Sequence, residues 1–130
     1  MYRKLAAAAL GVFATVSVAQ TDVEKKVEAV EADVIKWRHH FHEFPELSNR
    51  EFNTAKYIEK FLRSLDLDVT TGVARTGVVA VLDSGKPGPV VALRADMDGL
   101  PVKEENDLPY RSTQMGEYNG QEVPVMHACG

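Results

Sequence analysis

Cys129 is the single cysteine in 130 residues, and it stands two positions after His127 near the end of the chain. A thiolate and an imidazole together suit a borderline divalent cation such as zinc, and a histidine just beyond them would make an alternating set of donors. A lone thiol in an oxidising compartment is a liability unless a cation holds it as thiolate or burial shields it. By residue type alone, a cation ligand and a buried structural thiol stand level.

A second candidate is Arg94-Ala95-Asp96-Met97-Asp98-Gly99-Leu100-Pro101, which follows an apolar run. Ligand sites gather at strand ends in open α/β sheets. Carboxylates two residues apart share a side if the strand continues, where they can orient a histidine ligand or hold a cation. Spacing alone favours the plainer reading, a solvated turn with an Arg–Asp pair. The spacing argues against a calcium loop, because the Asp repeat ends too soon, at Gly99.

His39, His40 and His42 also invite a metal reading. A zincin helix would need its second histidine at position 46, which is Glu46, and Pro45 breaks the helix that would align the pair. Helix-end histidines meeting backbone carbonyls or a nearby carboxylate are the better account. Gly85-Lys86 lacks the rest of a phosphate loop, and no Ser/His/Asp order is visible.

The elements that must position these groups can be read from periodicity. Thr21-Asp22-Val23-Glu24 has the form of a capping box. Behind it Val23, Val27, Val30, Val34, Trp37, Phe41 and Phe44 form one apolar helical stripe. Barely three heptads precede Pro45, so packing on a core is expected rather than a coiled coil. Pro45 ends that helix. Ser48-Asn49-Arg50-Glu51 repeats the capping signature and opens a second helix with Phe52, Ala55, Ile58, Leu62 and Leu65 inward; Asp66 marks its stop.

The pattern then becomes extended. Residues 67–71 make a short strand candidate. Residues 78–82 and 90–93 are compact apolar runs joined by a Gly- and Pro-rich turn, which predicts adjacent antiparallel strands covered on both faces. Residues 101–125 are polar and weakly patterned and read mostly as loop. The expected class is α/β, with helices packed on a sheet.

The amino terminus carries Arg3 and Lys4, an uncharged and mostly apolar run over residues 5–18, and small residues at Ser17 and Ala19. This is the form of a secretory signal with cleavage after Ala19. The run is short for a bilayer, which needs about 20 apolar residues. Cleavage leaves 13 basic side chains against 19 acidic ones, a formal charge of −6. No basic stripe for nucleic acid or anionic lipid is present.

Four stretches together carry a resemblance: Arg38-His39-His40-Phe41-His42-Glu43-Phe44-Pro45-Glu46-Leu47-Ser48, Thr76-Gly77-Val78-Val79-Ala80, Leu93 through Pro101, and Met126-His127-Ala128-Cys129-Gly130. In order and spacing they resemble the aminoacylase-like metallopeptidase family, in the branch of hippurate hydrolases and auxin–amino acid conjugate hydrolases. The resemblance implies a three-layer, zinc-exopeptidase-like catalytic domain with a mixed sheet flanked by helices. Residues 20–130 would be its amino-terminal portion and residues 1–19 a signal peptide, giving a secreted or periplasmic protein. It also implies two divalent ions (Zn, Mn, Co or Ni) and cleavage of the amide bond of N-acyl amino acids or related small conjugates and peptides.

Cys129 matches the family's bridging thiolate ligand. Asp98 matches the residue that orients a metal-binding histidine, and Asp96 and His127 match positions behind the ligands. Gly99 stands where the family usually has Ala, which is expected to loosen the turn slightly. The other ligands and the general base would follow residue 130, as would a smaller domain that forms a homodimer. The piece by itself is expected to be inactive. No nucleic-acid partner is implied, nor a membrane once the signal is cut. A short secreted binding module built on the same fold is the alternative.

Overall fold

The computed structural model describes residues 3–129, with side chains from Asp22 onward. The side chains of the signal-like segment, the Thr21 cap and Gly130 lie outside the described residues. The chain falls into two units, residues 1–38 and residues 39–130.

Helix α1 is Arg3–Glu43. Its backbone runs straight through Thr21, so the capping box there does not open a helix. The preceding residues are rich in Ala, a strong helix former, and simply extend it. The apolar stripe is not covered either: Val23, Val27, Val30 and Val34 are all exposed. An exposed Lys26–Asp22 pair at 2.7 Å adds a few tenths of a kcal/mol at most. The Phe44 N–H reaches the His40 carbonyl at 3.1 Å, and the helix stops before Pro45, as expected. No helix among the described residues is long and apolar enough to cross a membrane.

Helix α2 is Phe52–Ser64. Its start is fixed differently from the sequence expectation. Ser48 does not cap it. Instead the Glu46 carboxylate accepts the backbone N–H groups of Asn53 (2.9 Å) and Thr54 (2.8 Å), and the Thr54 hydroxyl (2.9 Å). A carboxylate at the positive end of a helix satisfies otherwise orphaned donors and gains from the dipole. The helix ends as predicted, with Asp66 in the left-handed region at φ 56°.

Strands β1 (Asp68–Val73) and β2 (Gly77–Val81) form an antiparallel hairpin with Val69 opposite Ala80. The expected pairing of residues 78–82 with residues 90–93 is therefore wrong. The run over 78–81 finds its partner through the nearer turn. Residues 90–93 lie beyond Pro87 and Pro89, form no strand, and expose Val90 and Leu93 almost completely. A buried hydrogen bond from the Thr76 hydroxyl to the Glu51 carboxylate, 2.7 Å, ties the hairpin to the start of α2.

The reading of residues 101–125 as loop also needs correction. Strands β3 (Met115–Tyr118) and β4 (Gln121–Pro124) pair antiparallel. Asn119 and Gly120 both have positive φ (53° and 76°), as a two-residue primed turn requires.

The centre of the second unit is made by three passing segments. The Gly99 N–H donates to the Glu46 carbonyl at 2.7 Å, and Leu100 and Met126 exchange backbone hydrogen bonds at 2.8 and 3.0 Å. Leu47 and Val125 are buried between them, Val125 at 2% exposure. Gly99 and Gly116 permit this close approach. A Cβ on Gly99 would lie 2.9 Å from Pro45 Cβ and from Val125 Cγ1, and one on Gly116 2.9 Å from Leu47 Cδ1. Gly99 thus marks a tight contact and not a loosened turn.

Candidate metal centre

The segment that carries Cys129 leaves the Leu100–Met126 bridge, so its path is set by the same backbone pairing that holds Gly99 and Leu100. That pairing brings Asp98 and His127 together. His127 is half-buried, and its Nε2 is out of solvent with no hydrogen-bond partner. Its pKa lies below the ordinary value. Burial is the main cause and the nearby His42 adds to it, while the Asp98 carboxylate and a hydrogen bond with the Asp98 backbone oppose it. The ring is neutral at pH 7, the form in which an imidazole offers a lone pair.

Asp98 is half-buried beside this ring, whereas Asp96 is exposed. Asp96 pairs with Arg94 at 2.7 Å, both well exposed, the solvated Arg–Asp pair of the plainer reading, on a stretch that forms no turn. Cys129 is a free, exposed cysteine. Among the described residues no three His, Cys, Asp or Glu side chains gather where they could hold an ion. The Cys129 thiol suits a thiophilic divalent cation in kind, but the described residues supply too few donors to hold one.

The three histidines at the end of α1 take separate partners. His39 stacks on Tyr110 with ring centroids 3.7 Å apart, and His40 stacks on Tyr57 at 4.4 Å. His42 faces a carboxylate: its Nε2 lies 2.9 and 3.0 Å from the two oxygens of Glu104. The Glu104 side chain is 0% exposed and also accepts the Ser112 N–H at 2.7 Å. Burial raises its pKa, but the hydrogen bonds and charge of His42 and the Ser112 N–H bring the net displacement below the ordinary value of 4.5. Sequence reasoning missed Glu104. It lies in a run of charged and polar residues where nothing distinguishes it from Glu105; only the burial does. An open groove of about 600 Å³, lined by His40, Phe44, Tyr57 and Met115 among others, includes none of Cys129, His127 and Asp98.

Over 109 residues the chain is 41% identical to the N-acyl-L-amino acid amidohydrolase of Geobacillus stearothermophilus, a match covering 84% of this chain and 27% of that protein. It is 44% identical over 109 residues to thermostable carboxypeptidase 1 of Saccharolobus solfataricus, covering 83% and 26%. The crystal structure of the Bacillus subtilis YXEP protein, a dinuclear metal binding peptidase from M20 family, matches with a TM-score of 0.66 at 35% identity, covering 78% of this chain and 27% of that one. This chain is a homologue of the M20-family amidohydrolases and peptidases. No protein-family model matches it. It spans about a quarter of the length of these relatives. The α/β class expected from the sequence is the class of the M20 domain it matches.

Proposed function

We propose that this chain carries part of the metal site of an amidohydrolase that cleaves the amide bond of N-acyl amino acids, hippurate-like compounds, or related small conjugates and peptides. The observation that carries the reading is an exposed Cys129 two residues beyond a neutral, half-buried His127 in contact with Asp98, in a chain homologous to amidohydrolases. In this reading Cys129 is the metal ligand and Asp98 orients a metal-binding histidine. Asp96 and His127 shape the surroundings. Two divalent ions of the Zn, Mn, Co or Ni class, when bound there with Cys129 as a ligand, would supply a water activated near neutral pH and a positive centre for the amide carbonyl.

The described residues supply too few donors, so the 130-residue chain alone does not turn over substrate. Residues 20–130 belong to the catalytic domain. Residues 1–19 direct export to the periplasm or exterior and are removed after Ala19, and the whole protein is a homodimer.

The test is release of free amino acid from N-acetyl amino acids and hippurate by the product of the complete reading frame. We expect activity with added Mn²⁺, Zn²⁺, Co²⁺ or Ni²⁺, loss on chelation, and loss in Cys129→Ala. Undiminished turnover of Cys129→Ala at saturating metal would overturn the ligand role. Mass measurement of exported protein checks cleavage after Ala19.

A further inference from the structure

Glu104 is a carboxylate with no exposed side-chain surface in a segment that is otherwise mostly exposed. Burying an ionised carboxylate is costly unless it is paired and fully hydrogen-bonded. Here both conditions are met, by His42 from the end of α1 and by the Ser112 N–H. The links continue from Ser112. Its hydroxyl donates to the Val125 carbonyl at 2.6 Å and accepts the Gln114 N–H at 3.2 Å, and the Gln114 carbonyl takes the Val125 N–H at 3.0 Å. Val125 is therefore held at both backbone groups, two residues before His127 and four before Cys129.

We propose that Glu104 is a positioning residue: through Ser112 it fixes the backbone at Val125, and with it the direction from which the Cys129 sulfur meets a divalent ion. The proposal rests on the reading of Cys129 as a ligand. Outer groups of this kind act on metal affinity because they remove freedom from the ligand before the ion arrives. Glu104 does so at two removes, through a backbone carbonyl and the short chain beyond it.

The experiment titrates Co²⁺ into the product of the complete reading frame and follows the thiolate-to-cobalt charge-transfer absorption, with circular dichroism as the check on folding. Cys129→Ala tests the underlying reading. If the unaltered protein shows no thiolate band, or the band survives in Cys129→Ala, the ligand assignment falls and this proposal falls with it. With that band established, Glu104→Ala is expected to weaken Co²⁺ binding by about ten- to a hundredfold and to shift the band. Glu104→Gln, whose amide oxygen still accepts the Ser112 N–H, is expected to restore binding to within a few-fold of the unaltered protein.

Ser112→Ala removes one hydroxyl and keeps the fold, so it decides the matter even where Glu104→Ala fails to fold. It should weaken binding in the same direction and add nothing in the Glu104→Ala background. Unaltered Co²⁺ affinity and spectrum in folded Ser112→Ala would overturn the positioning role while leaving Cys129 as a ligand.

Discussion

Replacing Val125 by Ala should loosen the three-segment junction that precedes the candidate site, and the structure sets the size of the effect. Val125 is 2% exposed, so nearly the whole side chain counts as buried. Losing two methyl groups at about 0.8 kcal/mol each, with part of the cavity left unfilled, gives roughly 2 kcal/mol. The readout is amide hydrogen exchange at Leu100 and Met126, whose N–H groups bond across the junction, and at Val125, whose N–H bonds to Gln114. A change of about 2 kcal/mol in local opening corresponds to roughly a thirtyfold loss of protection.

Gly116→Ala should cost about 1–2 kcal/mol by crowding, since its Cβ would lie 2.9 Å from Leu47 Cδ1 and 3.1 Å from Val125 Cγ2. The combination is the sharper test. Removing Cγ2 relieves one of these contacts and leaves space into which Leu47 can turn. The double variant should therefore be less perturbed than the sum of the two by about 1 kcal/mol. Strict additivity, or unchanged protection in Val125→Ala, would show that these segments do not share one packed volume.

Glu46→Ala should destabilise the start of α2 by about 1–2 kcal/mol, seen as faster exchange at the Asn53 and Thr54 amides, whereas Ser48→Ala should change nothing there. Gly120→Ala places a Cβ at φ 76° and should cost the β3–β4 hairpin about 1 kcal/mol or more, read from loss of protection at its paired amides. The Glu104 carboxyl titrates below its ordinary 4.5 in the fold, so the fold favours its ionised form. That contribution is fully present above about pH 4.5 and is lost as pH falls through the lower folded value. Urea midpoints measured from pH 7 downward should decline in that acid window, and Glu104→Gln should flatten that part of the profile.

What could be read from the residues was governed by how far each determinant acts along the chain. Pro45 and Asp66 stop their helices by their own backbone preferences, and both stops stand where the sequence places them. The cap on α2 was misassigned because Ser48-Asn49-Arg50-Glu51 satisfies the local rule, while the carboxylate that does the capping is Glu46, seven and eight residues from the amides it accepts. The β3–β4 hairpin had a local signal in Asn119-Gly120, but its flanks, Met-Gly-Glu-Tyr and Gln-Glu-Val-Pro, lack the alternation that would have called them strands.

The candidate site divides in the same way. Its candidate ligand Cys129, and His127 two residues before it, announce themselves by type and spacing. The contacts that surround them do not, because His42 and Glu104 are 62 residues apart and meet only once α1 has ended at Pro45 and Leu100 has paired with Met126. A charged residue inside a polar run has no local mark of burial. Burial, matched by hydrogen bonds of its two oxygens with His42 and Ser112, separates Glu104 from its neighbour. The same bonding turns a loop residue into a determinant of where a sulfur atom four positions past Val125 can stand.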